Sequence, residues 1–154
     1  MFNKKTAESL AIQLECICKH NPDLSQNVDN VKHDMLEALD MKSKISSPEL
    51  RRLNQVLFAT RAFDLGLKTF LLAADVEIDN RSRHIRGYLS YLKNYNGVFF
   101  ARMKGDIADR IETTIVYDRN RLVHVAGQYP TPRDVDTILQ NVGDYLSVVI
   151  SLKK

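Results

Sequence analysis

The chain has 154 residues, 44% of them apolar and 27% charged, so it can bury one hydrophobic core and is too short for two ordinary domains. Its six glycines and four prolines are too few for a loop-rich all-β protein. The formal net charge of +3 permits an anionic partner without requiring one. We therefore predict a single domain over residues 1–154.

The sequence has no apolar run of membrane-spanning length, and its first residues lack the continuous apolar stretch of a signal peptide. We expect no membrane contact and a cytoplasmic location. Cys16 and Cys18 lie two positions apart on a predicted helix, so they point to different faces. Cys16 and His20 have the spacing of half a zinc site, but no second pair completes four ligands. The sequence thus predicts neither a metal site nor a cofactor.

Two helices are predicted before the long central one. Thr6 is the expected cap of the first, which the Asn21-Pro22-Asp23 turn ends near His20. Ser25 is the expected cap of the second, whose apolar residues recur at helical spacing to about Met41.

A long central helix is predicted from the Ser47-Pro48-Glu49 start signal, which combines a capping serine, a proline at the first helical position and an acid in the first turn. Apolar residues keep a helical spacing from there to about Ala74. Gly66 inside this helix indicates either a weak point or a close contact with another helix.

Three more helices complete the prediction. Residues 75–82 are polar and indicate a loop, followed by a short helix over about residues 85–94. Apolar residues then predict one long helix over about residues 99–126, with Gly127 as its C-terminal stop. The Thr131-Pro132 pair, with an acid in the first turn, starts the last helix.

Six helices joined by short turns predict an all-α fold, an up-and-down antiparallel bundle of about five or six helices. No short recognition helix rich in Arg, Asn and Gln follows a tight turn, so the sequence gives little support to helix-turn-helix DNA binding. Nor does it contain a Gly-rich phosphate loop, a His-Glu-x-x-His pair or a Gly-x-Ser-x-Gly elbow.

Polar residues interrupt the apolar pattern of the fifth predicted helix. Four of them recur three or four positions apart along one stripe: Tyr117, Asn120, Arg121 and His124. Arg119 projects instead toward the side shared by Ile115 and Leu122. Because an unpaired buried charge is costly, Arg119 must either pair with an acid on a neighbouring helix or line a cleft.

These residues carry a resemblance to a known family. Arg119-Asn120 followed by His124 resembles the Arg-x4–6-His motif of HEPN domains, in the form with a polar residue directly after the arginine. The resemblance implies an all-helical bundle that acts as a metal-independent endoribonuclease, in which two protomers share one cleft. It assigns catalytic roles to Arg119 and His124 and the polar position of the motif to Asn120.

The resemblance also implies partners and chemistry. RNA is the expected substrate, a homodimer is the expected assembly, and an antitoxin protein is a candidate partner of a toxin or defence effector. Cleavage would proceed by attack of the RNA 2′-OH on the adjacent phosphate. Some HEPN toxins extend the motif to His-x-Tyr, whose tyrosine a partner nucleotidyltransferase modifies. Ala126 stands at that position here, so the resemblance does not imply that mode of silencing.

Further residues are candidates for supporting roles. The densest basic cluster, consisting of Arg81, Arg83, His84 and Arg86, would hold an RNA backbone, although it also fits a solvated helix start. Arg121 is a further RNA-binding candidate, and Tyr117 and Asp118 would orient His124 or contact a base.

Two alternatives stay open. In the first, the chain is a catalytically inactive HEPN-like module for dimerisation or ligand binding, in which Arg119 and His124 are structural. In the second, it is an unrelated helical adaptor, and the motif arises by chance.

Overall fold

The structure is a computed structural model that describes residues 1–39, 45–124 and 127–154. Its α-helices are α1 (Lys4–Ile17), α2 (Ser25–Ala38), α3 (Pro48–Ala73), α4 (Ile85–Asn94), α5 (Gly105–Ile111), α6 (Tyr117–His124) and α7 (Pro132–Ser151). A π-helix over Glu112–Val116 joins α5 to α6 without a break, so the described residues form six long helical segments. The predicted all-α bundle is confirmed.

Helix α3 is the centre of the bundle, because α1, α2, α4, α6 and α7 all pack against it. Its C-terminal half is mostly buried and belongs to one continuous apolar core. A Cβ atom added at Gly66 would lie 2.8 Å from Cδ1 of Leu146 on α7. The predicted close contact at Gly66 is therefore the α3–α7 packing, in which any side chain at this position would have to displace the end of Leu146.

A buried acid fixes α2 against α3. Asp34 is 2% exposed, and its two carboxylate oxygens accept hydrogen bonds from Nε and Nη2 of Arg61 at 2.7 and 2.6 Å. The Arg61 guanidinium also lies 5.0 Å from the centre of the Phe58 ring. Two parallel charge-assisted bonds hold the planar guanidinium in one orientation, so Arg61 is a fixed part of the α3 surface.

The predicted helix starts are partly confirmed. Ser47 accepts the Leu50 N–H at 3.4 Å, and Thr131 forms a reciprocal capping box with Asp134. Two other predicted caps are wrong. Asn3, and not Thr6, caps α1, while Ser25 is the first residue of α2 because a 3₁₀ turn over Pro22–Leu24 runs directly into that helix.

The predicted start of the helix over residues 99–126 is wrong, because the helix begins later in the structure. Residues 99–104 are not helical, and Gly105, expected inside the helix, is its first residue. Phe100 is 1% exposed and stacks on Tyr95, with ring centres 3.6 Å apart. The backbone of this segment bonds to the end of the chain, where Ala101 N–H donates to the Leu152 carbonyl at 2.8 Å. Apolar residues at helical spacing therefore reach the core from an extended segment.

Two predicted helix ends, near Met41 and near Ala126, lie outside the described residues. Helix α1 ends at Ile17, three residues before the predicted end at His20. Gly127 has a φ of 78°, a left-handed conformation that favours glycine.

Candidate functional site

The four polar residues predicted to form one stripe are all exposed. Tyr117, Asn120, Arg121 and His124 lie on α6, which directly follows the π-helix Glu112–Val116. A π turn inside a helix is uncommon and is frequent near functional sites. These four residues therefore lie on the solvent side of a helix with an irregular start.

Arg119 lies at the border of the buried side of α6. It is half-buried, whereas Ile115 and Leu122 are buried. Its Nη1 donates to Oδ1 of Asn120 at 3.3 Å, and no carboxylate oxygen of the described residues lies within 4.0 Å of its guanidinium. Of the two alternatives from the sequence, an ion pair or a cleft, the described structure has the cleft.

This cleft is a cavity of about 570 Å³ between α3, the start of α4 and the π-helix with α6. Its volume is within the range of about 300–1,000 Å³ that is typical of small-molecule sites. The lining residues are Asn54, Leu57, Phe58, Thr60, Arg61, Asp64, His84, Ile85, Arg86, Val116, Arg119 and Asn120. Arg119 and Asn120 thus share one cavity with two members of the basic cluster, His84 and Arg86.

Asp64 is the one carboxylate among the lining residues. Its Oδ1 is buried and is the one such side-chain atom in the described chain that lacks a hydrogen-bond partner. Burial raises the pKa of this carboxyl, and the charges of Arg119 and Lys68 oppose that rise. An acceptor of this kind costs stability when it has no donor.

His84 caps α4, because its Nδ1 accepts the Gly87 N–H at 3.1 Å. In this role the neutral imidazole carries its proton on Nε2, which is free to donate to a ligand. A Cβ atom at Gly87 would collide with the Ser82 carbonyl oxygen, so glycine is required where the chain enters α4.

The predicted basic cluster divides between two neighbouring cavities. All four members are exposed, but Arg86 is paired with Glu112 at 2.8 Å. Arg83 lines a second cavity, which shares Arg61 and Asp64 with the first. Arg81 lines neither of them.

Arg121 and Asp118 are engaged in ion pairs. Arg121 Nη2 lies 3.6 Å from Asp118 Oδ1 and 3.5 Å from Asp134 Oδ1 on α7. Asp134 itself belongs to the capping box of α7, and these contacts lower the pKa of its carboxyl, with the Thr131 backbone as the main cause. Arg121 therefore connects α6 to α7 through Asp134, and Asp118 pairs with Arg121 within α6.

His124 is exposed and does not line either cavity. It follows Arg119 by five residues, which on an α-helix is about 7.5 Å along the axis and about 140° around it. One chain thus presents Arg119 and Asn120 to the cavity and leaves His124 outside.

Sequence reasoning missed Asp64, Phe58 and Arg61 as site residues. The one signal for Asp64 is an acid between the apolar residues Phe63 and Leu67. Among the described residues, no group of three or more His, Cys, Asp or Glu side chains could hold a metal ion. In the same part of the chain, no helix has both the length and the apolar character needed to cross a bilayer.

Comparison with known proteins gives no match among protein-family models, curated proteins or solved structures.

We predict that Asp64→Asn stabilises the protein at neutral pH. The pKa of Asp64 in the folded protein lies above its ordinary value of 3.8. The ionised carboxyl therefore lowers the free energy of unfolding at pH values above the folded pKa, and this destabilisation disappears as the pH falls toward 3.8. The variant should gain about 1 kcal/mol in free energy of unfolding at pH 7, with a smaller gain near pH 4. Urea unfolding at both pH values, with the exposed Asp109→Asn as control, measures this. A gain that does not change with pH would contradict it.

Proposed function

We propose that this protein is a metal-independent endoribonuclease of HEPN type, whose catalytic residues are Arg119, Asn120 and His124. The carrying observation is the placement of Arg119, which lines a cavity without a described carboxylate partner while His124 lies exposed on the same helix. The resemblance of the motif supports a cytoplasmic toxin or defence effector, with an antitoxin protein as a further partner.

The residue types suit cleavage by the RNA itself. The 2′-oxygen forms a bond to phosphorus and the bond from phosphorus to the 5′-oxygen breaks, which gives a 2′,3′-cyclic phosphate and a 5′-OH. A neutral histidine accepts the 2′-OH proton, and a protonated histidine donates a proton to the leaving 5′-oxygen. Arg119 would stabilise the charge that develops on the phosphate oxygens.

Two histidines are needed for this scheme, and each chain supplies one His124. The N-terminal half of α3 carries apolar side chains that the described residues cover only in part. Leu50 is 46% exposed, and Leu53 and Leu57 are half-buried at positions that share its helix face. Leu57 also lines the cavity with Arg119. A two-fold contact along this face would bring two cavities together, and the proposed mechanism requires both His124 side chains to reach the shared cleft.

We predict a homodimer that depends on this α3 face. Leu53→Glu should dissociate it, because a charge in the interface loses its hydration, whereas Ile12→Glu should not, since Ile12 is 60% exposed on α1. Light scattering at micromolar concentration measures the mass, and circular dichroism checks that both variants stay helical. A strictly monomeric parent protein would refute the shared cleft.

We predict that Arg119→Ala and His124→Ala each lower the rate of RNA cleavage by a factor of about 100 or more, the usual contribution of a general acid or base or of a charge stabiliser. Asn120→Ala should lower it less. His20→Ala is the matched control, because His20 is also an exposed histidine near a helix end. If a variant melts early but keeps its specific activity, the residue is structural.

The reaction chemistry gives a further prediction. Cleavage should continue in excess EDTA and should fail on RNA methylated at the scissile 2′-oxygen, because that oxygen is the proposed nucleophile. End-group analysis should find a 2′,3′-cyclic phosphate and a 5′-OH. A 5′-phosphate product, or loss of activity in EDTA, would show that a different mechanism operates.

The alternative is a catalytically inactive HEPN-like module for dimerisation or ligand binding. It is favoured by one observation: the cavity includes Arg119 and Asn120 but not His124. A dimer that binds RNA or a nucleotide without turnover would support this second function.

A further inference from the structure

The cavity has the parts of a nucleotide site, with apolar walls, cations and one carboxylate. Its apolar lining comes from Leu57, Phe58, Ile85 and Val116. Of these, Leu57, Phe58 and Val116 are only partly buried by the protein, so they offer surface on which a planar base can pack. The Arg61 guanidinium, which Asp34 fixes, adds a flat cationic surface of the kind that stacks on bases.

Hydrogen-bond donors surround the same space. Arg119 has no described carboxylate partner, and His84 has a free Nε2 position because its Nδ1 caps α4. Arg86 also lines the cavity, with its Nε paired to Glu112. These groups suit phosphate oxygens. Asp64 is the one carboxylate in the lining, and its Oδ1 accepts a hydrogen bond from none of the described residues.

From this arrangement we infer that the cavity binds a guanine nucleotide and that Asp64 selects the base by accepting hydrogen bonds from N1–H and the 2-amino group. If the cavity is a subsite for one base of the RNA strand, the inference rests on the proposed nuclease. If the cavity binds a free nucleotide, the inference does not depend on cleavage.

The choice of guanine follows from the pattern of donors and acceptors. An ionised carboxylate presents two acceptors side by side. The Watson–Crick edge of guanine presents two adjacent donors, whereas adenine and cytosine each place an acceptor beside their amino group, which the second carboxylate oxygen repels. The terminal torsion of an aspartate side chain is broad, so both oxygens can turn toward the base.

The same pattern predicts what a substitution at this position does. Asparagine has nearly the shape of aspartate but presents one acceptor and one donor. That pair matches adenine and no longer matches the two adjacent donors of guanine, N1–H and the 2-amino group. Asp64→Asn should therefore change the base preference of the site from guanine to adenine and not simply weaken binding. If Asp64 had only a structural role, the base preference would not change.

Binding of free nucleotides is the direct test. Titration calorimetry of the full-length protein with 5′-GMP, 5′-IMP and 5′-AMP compares three purines, and IMP differs from GMP only by the 2-amino group. We expect GMP to bind at least about tenfold more tightly than AMP, a typical gain from a bidentate base contact, with IMP in between. Asp64→Asn should lose the preference for GMP, and Asp109→Asn should keep it.

Cleavage of oligouridine with a single guanine or a single adenine is the second arm. We expect the parent to cut next to guanine and Asp64→Asn to cut next to adenine. If GMP binds selectively but no RNA is cut, the nuclease proposal fails and the guanine site stands. If RNA is cut with no preference for guanine, the cavity is not a subsite for the RNA strand and the nuclease proposal stands. If GMP and IMP bind equally well, the guanine site is refuted whatever the result of the cleavage assay. The GMP–IMP comparison needs no variant, so it decides the matter even if Asp64→Asn folds poorly.

Discussion

The ion pair between Asp34 and Arg61 determines the surface on which the candidate site is built. Asp34 is almost wholly buried on α2, and a buried carboxylate without a partner is strongly destabilising. Arg61 on α3 meets that need with two short hydrogen bonds. The pair fixes α2 against α3 and holds the Arg61 guanidinium over Phe58. Since Arg61 lines both cavities, the ion pair that joins α2 to α3 also shapes the wall between the two cavities.

The fold was predictable from the sequence where local chemistry and tertiary packing agree. Ser47 and Thr131 are caps by residue type and by geometry. The prediction was wrong at residues 99–104, because apolar spacing reports which side chains reach the core and not the backbone conformation that brings them there. Phe100 is buried as its pattern requires, but its segment pairs with the chain end near Lys153. That pairing is a long-range contact, which no local pattern contains.

The candidate site was predictable only in part, for the same reason. Arg119 breaks the apolar side of one helix, so its position in a cleft could be inferred from a single segment. Asp64 and His84 come from two other helices, and only the packing of α3 with α4 and α6 brings them into the same cavity. His84 was predicted as part of a basic cluster. In the structure its Nδ1 caps α4, so its Nε2 is the nitrogen that can donate to a ligand.

Helix geometry gives the motif its division of labour. Side chains five residues apart on an α-helix diverge by about 140°, so a helix that presents Arg119 to the cavity presents His124 elsewhere. In the proposed mechanism Arg119 and the two histidines act on the same scissile phosphate. One chain alone does not bring these groups together, so the proposal requires a cleft between two protomers in which both His124 side chains reach the phosphate that Arg119 contacts. The unpaired oxygen of Asp64 fits this arrangement, because a group that lowers the stability of the free protein gains its partner only when a base occupies the cavity.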